Sequence, residues 1–237
     1  MLNIKALVFD VGGTVLDWHA GVSASLRQLG EEKGVSANWP RVANHWRYAA
    51  LNAMLTQYKG RAQGLNIDGV HRMTLDDVLE EFSLNIFDQN DRDRLTGSWH
   101  NLHAWPDAKS AWPVLRDRFL LSTLTILSVS LIVDSSRHAG ISWDCVISCE
   151  FLDEYKPHPT VYDAAPRLLQ LEPSEIMMIA CHNFDLLAAR EQGLKTAFVR
   201  RTEEWGDLDL FDQVDEPDQV HDVIAEDFHD LVEKIAS

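Results

Sequence analysis

The stretch Ile4-Lys5-Ala6-Leu7-Val8-Phe9-Asp10-Val11-Gly12-Gly13-Thr14 decides how the rest of the chain is read. A short apolar run, residues 4–9, stops at a carboxylate. Two glycines and a hydroxyl come after it. Continuous apolar runs of this length suit strands buried on both faces of a parallel sheet. Similar runs recur at 119–124 (ending at Thr125), 145–147, 176–180, 196–199 and 220–225. Helical patterns separate them. Residues 184–192 form one, with Asn183 as its expected N-cap and Gly193 as its stop. This alternation implies an α/β fold with a doubly wound, Rossmann-like parallel sheet.

The spacing is uneven. About a hundred residues separate the first run from the second, and that stretch reads as helix throughout. Helices are expected over 22–33, 42–58, 75–82 and 91–100, with no strand signal between them. The economical division is an α/β core of residues 1–16 and 104–237, with a helical cap of residues 17–103 inserted after the first strand. Trp105-Pro106-Asp107 marks the return to the core.

Composition narrows the function. The chain has 237 residues, with 21 Lys and Arg against 37 Asp and Glu, a net charge of −16. Such a charge repels phosphate backbones and anionic lipid, so nucleic-acid and membrane roles are not expected. It leaves a small anionic substrate open, because a pocket has its own potential. Cys145, Cys149 and Cys181 are an odd number without zinc spacing, which points to a reducing, cytoplasmic compartment. No signal peptide or spanning segment is expected. The acidic run 203–218 reads as a solvated loop. His100 and His103 lie three apart but have no third ligand in view for zinc.

In an open parallel sheet, ligands bind beyond the carboxyl ends of the strands. At those ends stand Asp10 and Thr14, then Thr125, then Lys156, then Asp185. Each alone has a bland reading: Asp10 as a helix cap, Lys156 as a surface lysine. Together, in this order, the chain resembles the haloacid dehalogenase superfamily of hydrolases. Within it the chain looks most similar to the type II 2-haloacid dehalogenases. The resemblance rests on FDVGGTVLDW (9–18), the Trp46-Arg47 pair, AWPD (104–107), RHAGISWD (137–144), EYKPHPTVY (154–162) and CHNFDLLAAREQGLKTAFVRR (181–201).

The chemistry can be read from the residue types. A carboxylate nucleophile, Asp10, splits one hard displacement into two easier steps through a covalent ester. Lys156 would hold Asp10 ionised. Thr14 and Thr125 would donate to the carboxylate or substrate. Asp185 would orient Lys156 or activate the water that cleaves the ester. The superfamily's phosphatases carry a second Asp two residues after the first; here that position is Gly12. They usually hold Mg²⁺ with an acid four residues before the last Asp; here it is Cys181. Both losses disfavour leaving-group protonation and a hard cation. No metal or other cofactor is therefore implied.

The resemblance also implies Arg47 as the cradle of a leaving halide and Tyr162 as a lining residue. After the second strand the family commonly has Ser-Asn-Gly to hold a substrate carboxylate. Here Thr125-Ile126-Leu127 precede Ser128. A Ser-Asn pair before the last Asp becomes Cys181-His182, with Asn183 next. Ser128 or Asn183 would take over the lost hydrogen bonds. His182 reads either as an anion donor or as a structural histidine. Trp18, Trp99 and Trp105 are candidates to wall an apolar pocket. The expected function is metal-independent hydrolysis of short 2-haloacids, with a homodimer implied by the resemblance. An Mg²⁺-dependent phosphatase and a catalytically silent binding protein are the alternatives.

Overall fold

The computed structural model describes residues 3–54, 65–152, 154–206 and 215–235. In chain order its strands are β1 (Ala6–Phe9), β2 (Leu16–Asp17), β3 (His103–Ala104), β4 (Leu120–Thr125), β5 (Cys145–Ser148), β6 (Ile176–Ala180), β7 (Lys195–Val199) and β8 (Val223–Ala225). Six of them pair in parallel in the order β5-β4-β1-β6-β7-β8. Every residue of β1 and β6 is buried, as continuous apolar runs in the middle of a covered sheet should be. β1 is central, and the chain switches from one side of it to the other between β5 and β6. The position at which open parallel sheets bind ligands therefore falls beside the end of β1.

The helices are α1 (Trp18–Lys33), α2 (Trp39–Asn52), α3 (Ile67–Glu81), α4 (Gln89–Ser98), α5 (Pro106–Arg116), α6 (Val129–Ala139), α7 (Pro159–Leu169), α8 (Asn183–Glu191) and α9 (Phe228–Ile235). Local chemistry sets their ends. Asp17 caps α1 by accepting from Ala20 N, and Gly34 ends it in the left-handed conformation. Asn38 caps α2 and Ser128 caps α6. Phe9 reaches down from β1 into an aromatic cluster with Trp112 of α5 and Phe228 of α9, at centroid separations of 5.1 and 6.1 Å.

The long helical stretch comprises α1–α4. It also contains something the periodicity does not reveal. β2 and β3 pair antiparallel, Leu16 opposite Ala104 and Asp17 opposite His103. This ribbon ties the outgoing chain to the returning chain. Two residues per strand are too few to show a period of two. The last apolar run is shorter as a strand than expected, beginning at Val223. Asp222 instead turns its carboxylate to the start of β7, accepting from Thr196 N and Lys195 Nζ. The expected helix over 42–58 is observed as α2, ending at Asn52; its last part, including Tyr58, falls outside the described residues.

Candidate active site

Asp10 comes directly after β1, and its two oxygens have different neighbours. Oδ1 accepts from Lys156 Nζ at 3.1 Å. Oδ2 accepts from Thr14 Oγ1 at 2.9 Å and stands 3.3 Å from His182 Nδ1. Burial alone would raise the Asp10 pKa. Lys156 and His182 override it and hold the carboxyl well below the usual carboxylate range. Lys156, 2% exposed, bridges to Asp185 Oδ2 at 2.6 Å. Burial disfavours its charge, but the two flanking carboxylates keep it firmly protonated. Tyr162 donates to Asp185 Oδ1 at 2.6 Å. Tyr162 thus touches Asp185 rather than simply walling the site. Burial, aided by the nearby Asp10 charge, raises the Asp185 pKa against the pull of Lys156.

His182 is the second link. Its Nε2 lies 3.1 Å from both oxygens of Glu204. Burial disfavours a charge on the ring, yet Cys181, Glu204 and Asp10 hold its pKa well above the ordinary histidine value. Burial and Glu204 push the Cys181 thiol itself up to about 11. The two carboxylates therefore carry the effect at neutral pH.

Glu204 is the site residue the sequence hides. It belongs to the acidic run expected to be solvated, and its neighbour Glu203 is exposed. Glu204 is 3% exposed and also accepts from Trp18 Nε1 at 3.2 Å. The loop bearing it is pinned from two sides. Arg201 donates to Thr14 O at 2.9 Å and to Asp107 Oδ2 at 2.9 Å. Asn44 of α2 donates to Trp205 O at 2.8 Å. Gly13 makes room: a Cβ there would stand 2.0 Å from Glu204 Oε1, and its φ of +93° already favours glycine.

Arg47 comes from α2 and is buried. Gly12 admits it, since a Cβ on Gly12 would sit 3.3 Å from Arg47 Nη2. The guanidinium lies 5.7 and 5.8 Å from the ring centroids of Trp18 and Trp99. Its Nε and Nη1 have no hydrogen-bond partner among the described residues. Trp99 in turn stacks on His71 at 4.0 Å, and burial and Arg47 push the His71 pKa down to about 3. Of the three expected tryptophans, Trp18 and Trp99 stack together at 6.1 Å beside Arg47. Trp105 does not join them: its Nε1 donates to Gly13 O at 2.7 Å and Arg201 lies over its ring.

Three expected residues are engaged elsewhere. Thr125 Oγ1 accepts from Leu127 N and so closes the turn after β4. Ser128 caps α6 and donates to Asp68 Oδ2 at 2.6 Å. Asn183 is the first residue of α8, with His182 at the cap position. Its amide faces the chain beyond, donating to Glu216 O and accepting from Asp218 N and His221. The hydrogen bonds of Ser128 and Asn183 are thus made to Asp68, α6 and the 216–221 segment. His100 lies between Asp68 and Asp134, and His103 contacts His138.

The donor set does not suit a metal. Cys181, His182 and Glu204 are close together. The sulfur lies 3.8 and 3.5 Å from the two ring nitrogens of His182. Near-equal distances place it over the ring face, so the lone pairs do not converge on one point. A thiol and a cationic imidazole beside Asp10 also do not fit Mg²⁺, which takes oxygen ligands.

A buried carboxylate, held ionised at the switch point of a parallel sheet beside a lysine and a second carboxylate, is the arrangement a nucleophilic aspartate needs. Comparison with known proteins agrees. A model of haloacid dehalogenase-like hydrolases matches residues 4–193, and the chain belongs to that family. The chain is 36% identical to the L-2-haloacid dehalogenase PA0810, whose structure superposes with a TM-score of 0.90 over 98% of this chain and 99% of that one. It is 31% identical to the defluorinating L-2-haloacid dehalogenase Rha0230, with a TM-score of 0.91 over 99% and 96%. Haloacetate dehalogenase H-2 of Moraxella sp. (strain B) is 25% identical over 85% of this chain and 88% of its own length.

Proposed function

We propose that this chain is a dehalogenase that hydrolyses short 2-haloacids without a metal ion, through an ester on Asp10. One observation carries the reading. Gly12 stands where a phosphatase carries its acid, and against it lies a buried guanidinium with two nitrogens that have no hydrogen-bond partner among the described residues. A fixed cation stabilises a leaving anion and cannot protonate a leaving alcohol. A halide needs only the first.

Asp10 attacks the halogen-bearing carbon from the side opposite the halogen. The carbon–halogen bond breaks, halide leaves towards Arg47, and the carbon inverts. Water then attacks Cγ of the ester. Asp185 accepts the water proton, its raised pKa suiting it as a base. Lys156, touching both Asp185 and Asp10 Oδ1, passes a proton to the departing 2-hydroxyacid. The cluster holds three carboxylates, Asp10, Asp185 and Glu204, and three cationic groups, Lys156, His182 and Arg47. This balance allows an anionic substrate to enter a chain of net charge −16. Helices α1–α4 and the turn after α4 act as the cap, supplying Arg47 and the tryptophan wall that keeps water from the first step.

The test is halide release from 2-chloro-, 2-bromo- and 2-fluoroacids by purified protein in excess chelator. Release is expected, with inverted 2-hydroxyacid as the other product. Loss of all activity in chelator, or retention of configuration, would overturn the proposal.

A further inference from the structure

The two oxygens of Asp10 are not equivalent, and their partners assign them different fates. Oδ1 has one donor, Lys156. Oδ2 has two groups against it, Thr14 Oγ1 at 2.9 Å and His182 Nδ1 at 3.3 Å. The less engaged oxygen, Oδ1, is the better nucleophile. It becomes the ester oxygen, and Oδ2 becomes the ester carbonyl. When water attacks Cγ, the negative charge of the tetrahedral intermediate develops on Oδ2.

We propose that His182, held in place by Glu204, is a catalytic residue of the second half-reaction, donating with Thr14 to Asp10 Oδ2 as that oxygen becomes anionic. The inference rests on the dehalogenase reading above. The step balances within the site. The water oxygen bonds to Cγ, and one of its protons goes to Asp185. The Cγ=Oδ2 pair moves onto Oδ2 and is met by Thr14 and His182. Collapse re-forms the carbonyl and breaks the Cγ–Oδ1 bond, and the 2-hydroxyacid leaves with Oδ1 and a proton from Lys156. His182 keeps its proton throughout.

Three features separate this role from a merely structural one. His182 Nδ1 stands 3.3 Å from Asp10 Oδ2, and that oxygen already has the Thr14 donor. Two donors converging on one carboxylate oxygen form the geometry of an oxyanion hole. The opposite ring nitrogen is taken by a carboxylate: Glu204 is buried, and besides His182 it accepts from Trp18 Nε1 and, at 3.5 Å, from Cys181 Sγ. Finally, the chain opposite Glu204 is cut back to glycine at position 13, where any Cβ would overlap it. Glu204 does not touch the reacting atoms and is a positioning residue. It fixes the ring and keeps it charged.

The test separates the two half-reactions. Rapid mixing of enzyme with excess 2-bromopropionate is monitored by halide release and by intact-protein mass. For His182→Gln we expect a burst of one halide per chain at close to the normal rate. Steady turnover then falls about 10²-fold, the usual effect of losing one oxyanion donor. Protein carrying the carboxyalkyl group on Asp10 accumulates. Glu204→Gln, which keeps shape and hydrogen bonding but not charge, should give the same burst with a smaller fall; Glu204→Asp should restore part of the rate. Thermal melts establish that each variant is folded, and if His182→Gln is not, Glu204→Gln decides. A burst slowed as much as turnover, with no trapped ester, overturns the assignment. So does turnover within about threefold of the parent. Failure of the parent enzyme to release halide from any 2-haloacid would instead remove the dehalogenase reading, and this inference with it.

Discussion

Replacing Lys156 with methionine tests the electrostatics of the site through stability alone, with no substrate present. The side chain is 2% exposed, and its ammonium lies 3.1 Å from Asp10 and 2.6 Å from Asp185. Methionine fills nearly the same volume, so packing loss is small. Two buried carboxylates are left without their shared cation. Breaking a buried pair costs about 3–5 kcal/mol, and two stranded partners place this case near the upper end. For a chain of this size, about 5 kcal/mol lowers Tm by roughly 10–20 °C. The sign of the pH dependence is fixed by the two shifts. The depressed Asp10 pKa of the parent contributes stability above the unfolded value of about 3.9, lost as pH falls through the folded one. The raised Lys156 pKa contributes stability below about 10.4, lost as pH rises beyond it. In the variant the stranded carboxyls bind protons more readily. The gap between parent and variant is therefore widest near pH 7–9 and narrows towards pH 5. Adding Asp10→Asn to the variant removes one stranded charge and should recover part of the loss. Calorimetric melts across this range are the assay. A Tm within about 3 °C of the parent at pH 7, or a gap that ignores pH, would refute the reasoning.

The same geometry sets other outcomes. Asp10→Asn should lower turnover by on the order of 10⁴-fold with the circular dichroism spectrum unchanged, because the nucleophile is gone and the shape is not. Gly12→Val places branched carbon where Arg47 Nη2 now lies; halide release should fall at least tenfold, read as kcat for bromide against chloride substrates. His100, between Asp68 and Asp134, has its pKa raised to about 9. It contributes stability below about pH 6.5 that is lost as pH rises through 9, so the destabilisation caused by His100→Ala should be present at pH 6 and fade by pH 10 in thermal melts.

Most of the candidate machinery was legible because it follows strand ends. Asp10, Thr14, Lys156 and Asp185 are readable from three apolar runs and the side chains that follow each run. The substrate side was less so. Ser128 bears a hydroxyl in the expected place, yet helix capping and Asp68 claim it, and Asn183 falls one residue past the cap that His182 supplies. Glu204 was hidden by composition, since a run of acids reads as solvated whichever member is buried. Its clue was local: Trp205 and Gly206 after it, the glycine at φ +67°, mark an anchored turn rather than an open loop. The ribbon of β2 and β3 was invisible for want of length. Gly12 and Gly13 look alike in sequence, but one admits Arg47 and the other Glu204, a distinction only the packed structure makes.

The central claim is that Asp10 is esterified and then hydrolysed at its own carboxyl carbon. A single turnover in water labelled with heavy oxygen, with enzyme in excess over a 2-haloacid, tests it most directly. The predicted products are unlabelled 2-hydroxyacid, carrying Oδ1 of Asp10, and one heavy oxygen in the peptide that contains Asp10. Labelled product with an unlabelled Asp10 peptide would mean that water attacks the substrate carbon itself, and would contradict the claim.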